Sequence, residues 1–71
     1  MFSKRLNELR KAKGISAKNM AEALGIELRS YRNYESGDRE PSLRTVVKLA
    51  DILDVSTDYL LCRDEFIARQ Q

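Results

Sequence analysis

Gly14, Gly25 and Gly37 stand eleven and twelve residues apart, and Pro41 follows closely on the third. This punctuation leaves no room for a long helix, because glycine ends helices and proline rarely continues them. The pieces between show apolar residues at intervals of three and four rather than in alternation, so each reads as a short helix. A helix of two or three turns is unstable alone in water. The chain must therefore fold as several short helices that share one core.

Size restricts that core. Seventy-one residues make one domain, and a domain so small buries only about 60 % of the surface that its unfolded chain exposes. One cysteine, Cys62, excludes an internal disulfide, and with no histidine there is no basis for a zinc site. Cys62 reads as a packing residue, buried and inert. The free thiol, the charged start MFSKRLNELRK and the absence of a run of roughly 20 apolar residues predict a cytoplasmic protein without a membrane segment.

The pieces are assigned as follows. Phe2, Leu6 and Leu9 recur at helical spacing before Gly14, which is placed for a left-handed helix end. Ser16 caps a second helix, whose stripe is Ala17, Met20, Ala21 and Leu24. The third helix is IELRSYRNYES, between Gly25 and Gly37. Ser42 caps a fourth, with Leu43, Val46, Val47, Ala50 and Leu53 expected on the buried face and Leu49 and Ile52 widening it. Ser56 starts a fifth, with Tyr59, Leu60, Phe66 and Ile67 as its apolar residues, and residues 67–71 are expected to fray. The fold class is all-α: five short helices in one domain over 1–71, with a core over 3–62 and a tail from 63.

Function is most legible in the third helix. At about 100° per residue, Tyr31, Tyr34 and Glu35 share an inner side, whereas Arg29, Asn33 and Ser36 fall about 140–200° away with Arg32 beside them. Leu28 and Ser30 lie on the flanks. One edge docks on the protein and the other offers two guanidinium forks and an amide. Those groups suit base edges, since Arg bonds guanine O6 and N7 together and Asn bonds adenine N6 and N7. Exposed arginine on an amphipathic helix is common, and the spacing to the second helix is what gives the face its meaning. The two helices meet across Gly25 within a few residues, with small Ala21 one turn earlier allowing close approach. That is a helix-turn-helix over 16–36, whose second helix enters the major groove. Charge agrees: residues 1–50 hold eleven Lys and Arg against six Asp and Glu, a net of +5, while residues 51–71 hold two against five, a net of −3. One side faces a polyanion and the other faces elsewhere.

From Leu6 to Leu61 the chain resembles the lambda-repressor/Cro-type (XRE-like) helix-turn-helix domains of bacteria and phages. The resemblance is carried by RLNELR at 5–10, KGIS at 13–16, MAEALGI at 20–26, YESG at 34–37, PSL at 41–43, KLA at 48–50 and VSTDYLL at 55–61. It implies a compact five-helix DNA-binding domain, commonly dimeric, that controls transcription and is expected to repress it. It also implies a structural ion pair between Arg10 and Glu35. Base readers would be Leu28, Arg29, Ser30, Arg32 and Asn33. Phosphate contacts would come from the main chain at Ala17 (where the family usually has Gln), and from Lys18, Ser36, Arg39 and Arg44. Leu28 would meet a thymine methyl or a protein partner. The expected partners are double-stranded DNA, as a palindromic operator, and a second copy joined through the fifth helix and the tail. No cofactor, small-molecule ligand or catalytic set is suggested. A rival reading is a protein-interaction module, antitoxin-like or an adapter, that keeps the fold with weakened DNA binding. Ala17, Glu27, Asp38 and Glu40 motivate it.

Overall fold

Serine starts three of the helices, and the hydroxyl accounts for each start. In the computed structural model, which describes residues 2–63, five helices follow in order. They are α1 (Phe2–Ala12), α2 (Ala17–Leu24), α3 (Leu28–Ser36), α4 (Leu43–Leu53) and α5 (Thr57–Leu60), with no strand among the described residues. Asn19 N donates to Ser16 Oγ at 3.0 Å, Thr45 N to Ser42 Oγ at 3.2 Å and Tyr59 N to Ser56 Oγ at 3.0 Å. Each bond satisfies an amide that has no carbonyl partner within its own helix.

The helix ends are equally local. Gly25 ends α2 at φ 70°, with its N–H turned back to the carbonyls of Ala21 and Glu22. Asp54 ends α4 in the same left-handed region at φ 55° without help from glycine. Aspartate visits that region more readily than most residues. Its N–H donates to Asp51 O at 3.2 Å, and Val55 N donates to Ala50 O at 3.0 Å.

The core is formed by Leu6, Met20, Ala21, Leu24, Tyr31, Val46, Leu49, Ala50, Leu53 and Leu60, drawn from all five helices. Helix α3 packs against α1 and α2, while α4 lies against α2 and α5. Ala21 is almost fully buried, where a larger side chain would separate α2 from its neighbours.

The outer face of α4 departs from expectation. Leu43 and Val47 are 77 % and 44 % exposed, whereas Leu49, expected at the margin, is wholly buried. The buried stripe is 46, 49, 50 and 53, a spacing of three, one and three. Relative to its centre, Val47 is turned by about 110° and Leu43 by about 70°, and Leu43 also sits in the first turn, at the core's edge. Tyr59, expected to be an apolar core residue, is 41 % exposed. Arg5 stacks over its ring at 4.4 Å and donates to its carbonyl at 2.8 Å, so the ring joins α1 to α5 at the surface. Cys62 is half-buried at φ 63°, and so is not the enclosed packing residue expected. Phe66 and Ile67 lie outside the described residues.

Candidate nucleic-acid interface

The orientation of α3 is set by one carboxylate. Glu35, in its last turn, accepts from Arg10 Nε at 2.6 Å, Arg10 Nη2 at 3.1 Å and Asn7 Nδ2 at 2.7 Å, and from the hydroxyl of Tyr31. Arg10 also donates to Ile15 O at 2.9 Å, which ties in the turn between α1 and α2. The side chains of Arg10 and Glu35 are only 13 % and 12 % exposed. No buried side-chain nitrogen or oxygen among the described residues lacks a partner. A fork of guanidinium donors on a carboxylate fixes angle as well as distance.

Protonation follows the same geometry. Burial alone would raise the Glu35 carboxyl, but the hydrogen bonds from Arg10, Tyr31 and Asn7, with the Arg10 charge, outweigh it and hold the group below its ordinary value. The bond to Glu35 raises Arg10 further. Burial, reinforced by the Glu35 charge, pushes the Tyr31 hydroxyl well above the usual phenol range. At neutral pH the network is one cation, one anion and two neutral donors.

Sequence reasoning reached Arg10 and Glu35 but missed Asn7 and the Tyr31 hydroxyl as partners. Tyr31 lies four residues before Glu35, one turn away, and was legible as a neighbour. Asn7 sits three residues before Arg10 on the same face of α1, and its spacing was the available signal.

With Tyr31 buried and its ring edge-on to Tyr34 at 6.5 Å and 83°, the opposite face of α3 is turned outward. Arg29 and Arg32 are exposed and make no hydrogen bond or ion pair among the described residues, while Leu28, Ser30 and Asn33 are half-buried beside them. Glu27 precedes α3 in extended geometry and makes no side-chain cap. The first amides of α3 therefore take no partner from it, and its charge stays next to the outward face.

The expected phosphate contacts fall in three places. At the start of α2, the cap occupies the Asn19 amide and leaves those of Ala17 and Lys18 with no acceptor in the helix. Lys18 is exposed; Ala17 is half-buried against the core. Arg44 is exposed in the first turn of α4. At the end of α3, Arg39 is exposed, and its amide donates to Asn33 O at 3.2 Å, folding the loop back onto the helix. Ser36 differs from the others. Its hydroxyl is already engaged, with Asp38 Oδ2 at 2.9 Å and Asn33 O at 3.1 Å.

Among the described residues no cluster of His, Cys, Asp and Glu could hold a metal ion, and no helix is long and apolar enough to cross a membrane. The arrangement is a fixed helix presenting donors at a surface.

The chain is similar to known proteins in sequence and in fold. The SPbeta prophage-derived uncharacterized HTH-type transcriptional regulator YonR of Bacillus subtilis is 51 % identical over 61 residues, spanning 86 % of this chain and 56 % of that protein. The cryptic phage CTXphi transcriptional repressor RstR of Vibrio cholerae is 43 % identical over 62 residues, spanning 87 % of this chain and 55 % of RstR. The chain thus spans little more than half the length of these relatives. The crystal structure of SinR, the master regulator for biofilm formation, in complex with DNA matches with a TM-score of 0.78 and 32 % identity. That match covers 86 % of this chain and 98 % of SinR's. The helix-turn-helix family profile matches residues 6–60, the span that holds the Arg10–Glu35 network and the outward face of α3, and the chain belongs to the helix-turn-helix family.

Proposed function

We propose that this chain binds double-stranded DNA sequence-specifically, with α3 in the major groove, and regulates transcription as a repressor. The observation that carries the reading is the Glu35 network. It buries one edge of α3 and thereby presents Arg29 and Arg32 unpaired on the other. A likeness to a repressor and to a regulator solved on DNA supports the same conclusion, and the role is regulatory rather than enzymatic. A cytoplasmic location accords with it.

Arg29, Arg32 and Asn33 read base edges, with Leu28 and Ser30 alongside, Leu28 against a thymine methyl. Lys18, Arg39, Arg44 and the amides at Ala17 and Lys18 hold phosphates, while the Ser36 hydroxyl, expected among them, is engaged with Asp38 and Asn33. Phosphate contacts set register and affinity; base contacts set sequence. One helix reads only a few base pairs, so two copies act on a palindrome with half-sites roughly 34–36 Å apart. The dimer surface is assigned to α5 and the residue after it, where Tyr59 and Leu61 are 41 % and 38 % exposed, and the tail expected to extend it lies beyond residue 63, outside the described residues.

Selection from random duplexes, followed by affinity measured against salt, tests this. A specific binder yields an enriched motif and a steep fall in affinity with salt. Arg29→Ala then relaxes one motif position, whereas Arg39→Ala weakens all sequences alike. A folded sample that enriches no motif would instead support the protein-interaction reading.

A further inference from the structure

The loop that closes α3 carries an acid where the neighbouring chemistry calls for a base. Ser36 shares the outer face of α3 with Arg29 and Asn33, so it ends the row of donors that the DNA reading assigns to the duplex. The hydroxyl has one proton. It lies 2.9 Å from Asp38 Oδ2 and 3.1 Å from Asn33 O, and neither arrangement leaves it for a phosphate oxygen. Asp38 N also approaches Ser36 Oγ at 3.4 Å, so the carboxylate is held from both its side chain and its main chain.

Asp38 is exposed, and no cation is within bonding distance of it among the described residues. It stands at the C-terminal end of a helix, where the backbone partial charge is already negative. Gly37 at φ 85° and the bond from Arg39 N to Asn33 O set the path of the loop on either side of Asp38.

We infer that Asp38 is an electrostatic brake: held against Ser36 at the end of the reading face, it opposes the phosphates there and lowers affinity for every duplex without changing the sequence preferred. This rests on the proposed DNA reading. A carboxylate fixed beside a phosphate contact repels at short range and is weakly screened at low salt. Repulsion from the backbone carries no sequence information. The consequence is a shorter stay on all DNA, which keeps a protein with a net +5 over its first fifty residues from lodging at non-specific sites.

Glu40 provides the internal control. It is also exposed and acidic, but it lines a groove with Phe2, Pro41 and Leu61 and has no bond to Ser36. Total charge changes equally in Asp38→Asn and Glu40→Gln, while only the first touches the end of the reading face. Asparagine keeps an oxygen to accept from Ser36, so the loop retains its anchor.

The experiment compares wild type, Asp38→Asn and Glu40→Gln on the selected duplex and on a scrambled one, across salt, after circular dichroism has shown each protein folded. Asp38→Asn should bind both duplexes more tightly by the same factor, about three- to tenfold near 50 mM salt, with the gain shrinking as salt rises. Glu40→Gln should give less than half that gain. Unchanged affinity in Asp38→Asn overturns the brake, as does an equal gain in Glu40→Gln or a shifted motif. If Arg29→Ala and Arg39→Ala behave as proposed while Asp38→Asn does nothing, the DNA reading stands and the brake falls. If wild type binds neither duplex, both fall.

Discussion

Removing the Glu35 carboxylate should cost far more than a surface ion pair normally contributes. Its side chain and that of Arg10 are 12 % and 13 % exposed, so Glu35→Ala leaves a largely buried guanidinium with only the Ile15 carbonyl, at 2.9 Å. Breaking one side of a buried pair costs about 3–5 kcal/mol, and that retained bond argues for the lower end, about 3 kcal/mol. Asn7 and the Tyr31 hydroxyl lose their acceptor at the same time. A chain of this length has roughly 4–10 kcal/mol of stability in total, so the variant should remain folded when cold but with little margin. The melting temperature should fall by about 12–24 °C. Urea unfolding followed by circular dichroism, on wild type, Glu35→Ala, Arg10→Met and the double variant, separates the pair from its surroundings. The coupling energy should be about 2 kcal/mol. A loss below about 1 kcal/mol for Glu35→Ala, the range of exposed pairs, would refute the claim that this carboxylate fixes α3.

Stability should also depend on pH at both ends. Glu35 is held below 4.5 in the fold, so its contribution is complete above that pH and is lost as pH falls through the lower folded value. Glu35→Gln should flatten this acid limb in urea titrations. Tyr31 is raised above 10.0, so its contribution is complete below that pH and is lost as pH climbs through the higher folded value; Tyr31→Phe should flatten the alkaline limb. On α4, Leu49→Ala should cost about 2–5 kcal/mol, whereas Leu43→Ala, at 77 % exposure, should stay within about 0.5 kcal/mol by the same measurement. Equal losses at the two positions would show that the helix is rotated from its described face.

The contrast between Leu43 and Leu49 shows where the sequence was readable. The starts of α2, α4 and α5 and the ends of α2 and α3 were legible because they are decided within four residues, by a serine hydroxyl or a glycine at positive φ, whereas Glu27 before α3 and Asp54 after α4 carry neither signal. The inward side of α3 was legible too, since two tyrosines and a glutamate fall on one edge. The face of α4 was not: LRTVVKLADIL has apolar residues around most of its circumference, and only the positions of α2 and α5 decide which are covered. Arg5 over Tyr59 joins residues 54 positions apart, and no spacing rule connects them. The resemblance implies a phosphate contact at Ser36, but its hydroxyl donates to Asp38 two residues on, a competition that a resemblance in residue type does not reveal.

If α3, pinned inward by Glu35, meets DNA with its other edge, the contact should be visible residue by residue when the isotope-labelled protein is titrated with the selected duplex and each amide and side-chain signal is followed by NMR. The largest shifts should fall at Arg29, Ser30, Arg32 and Asn33, with smaller ones at Ala17, Lys18, Arg39 and Arg44, and little change at Leu43 or Val47. Shifts concentrated on the outer face of α4 with α3 unmoved would contradict that contact.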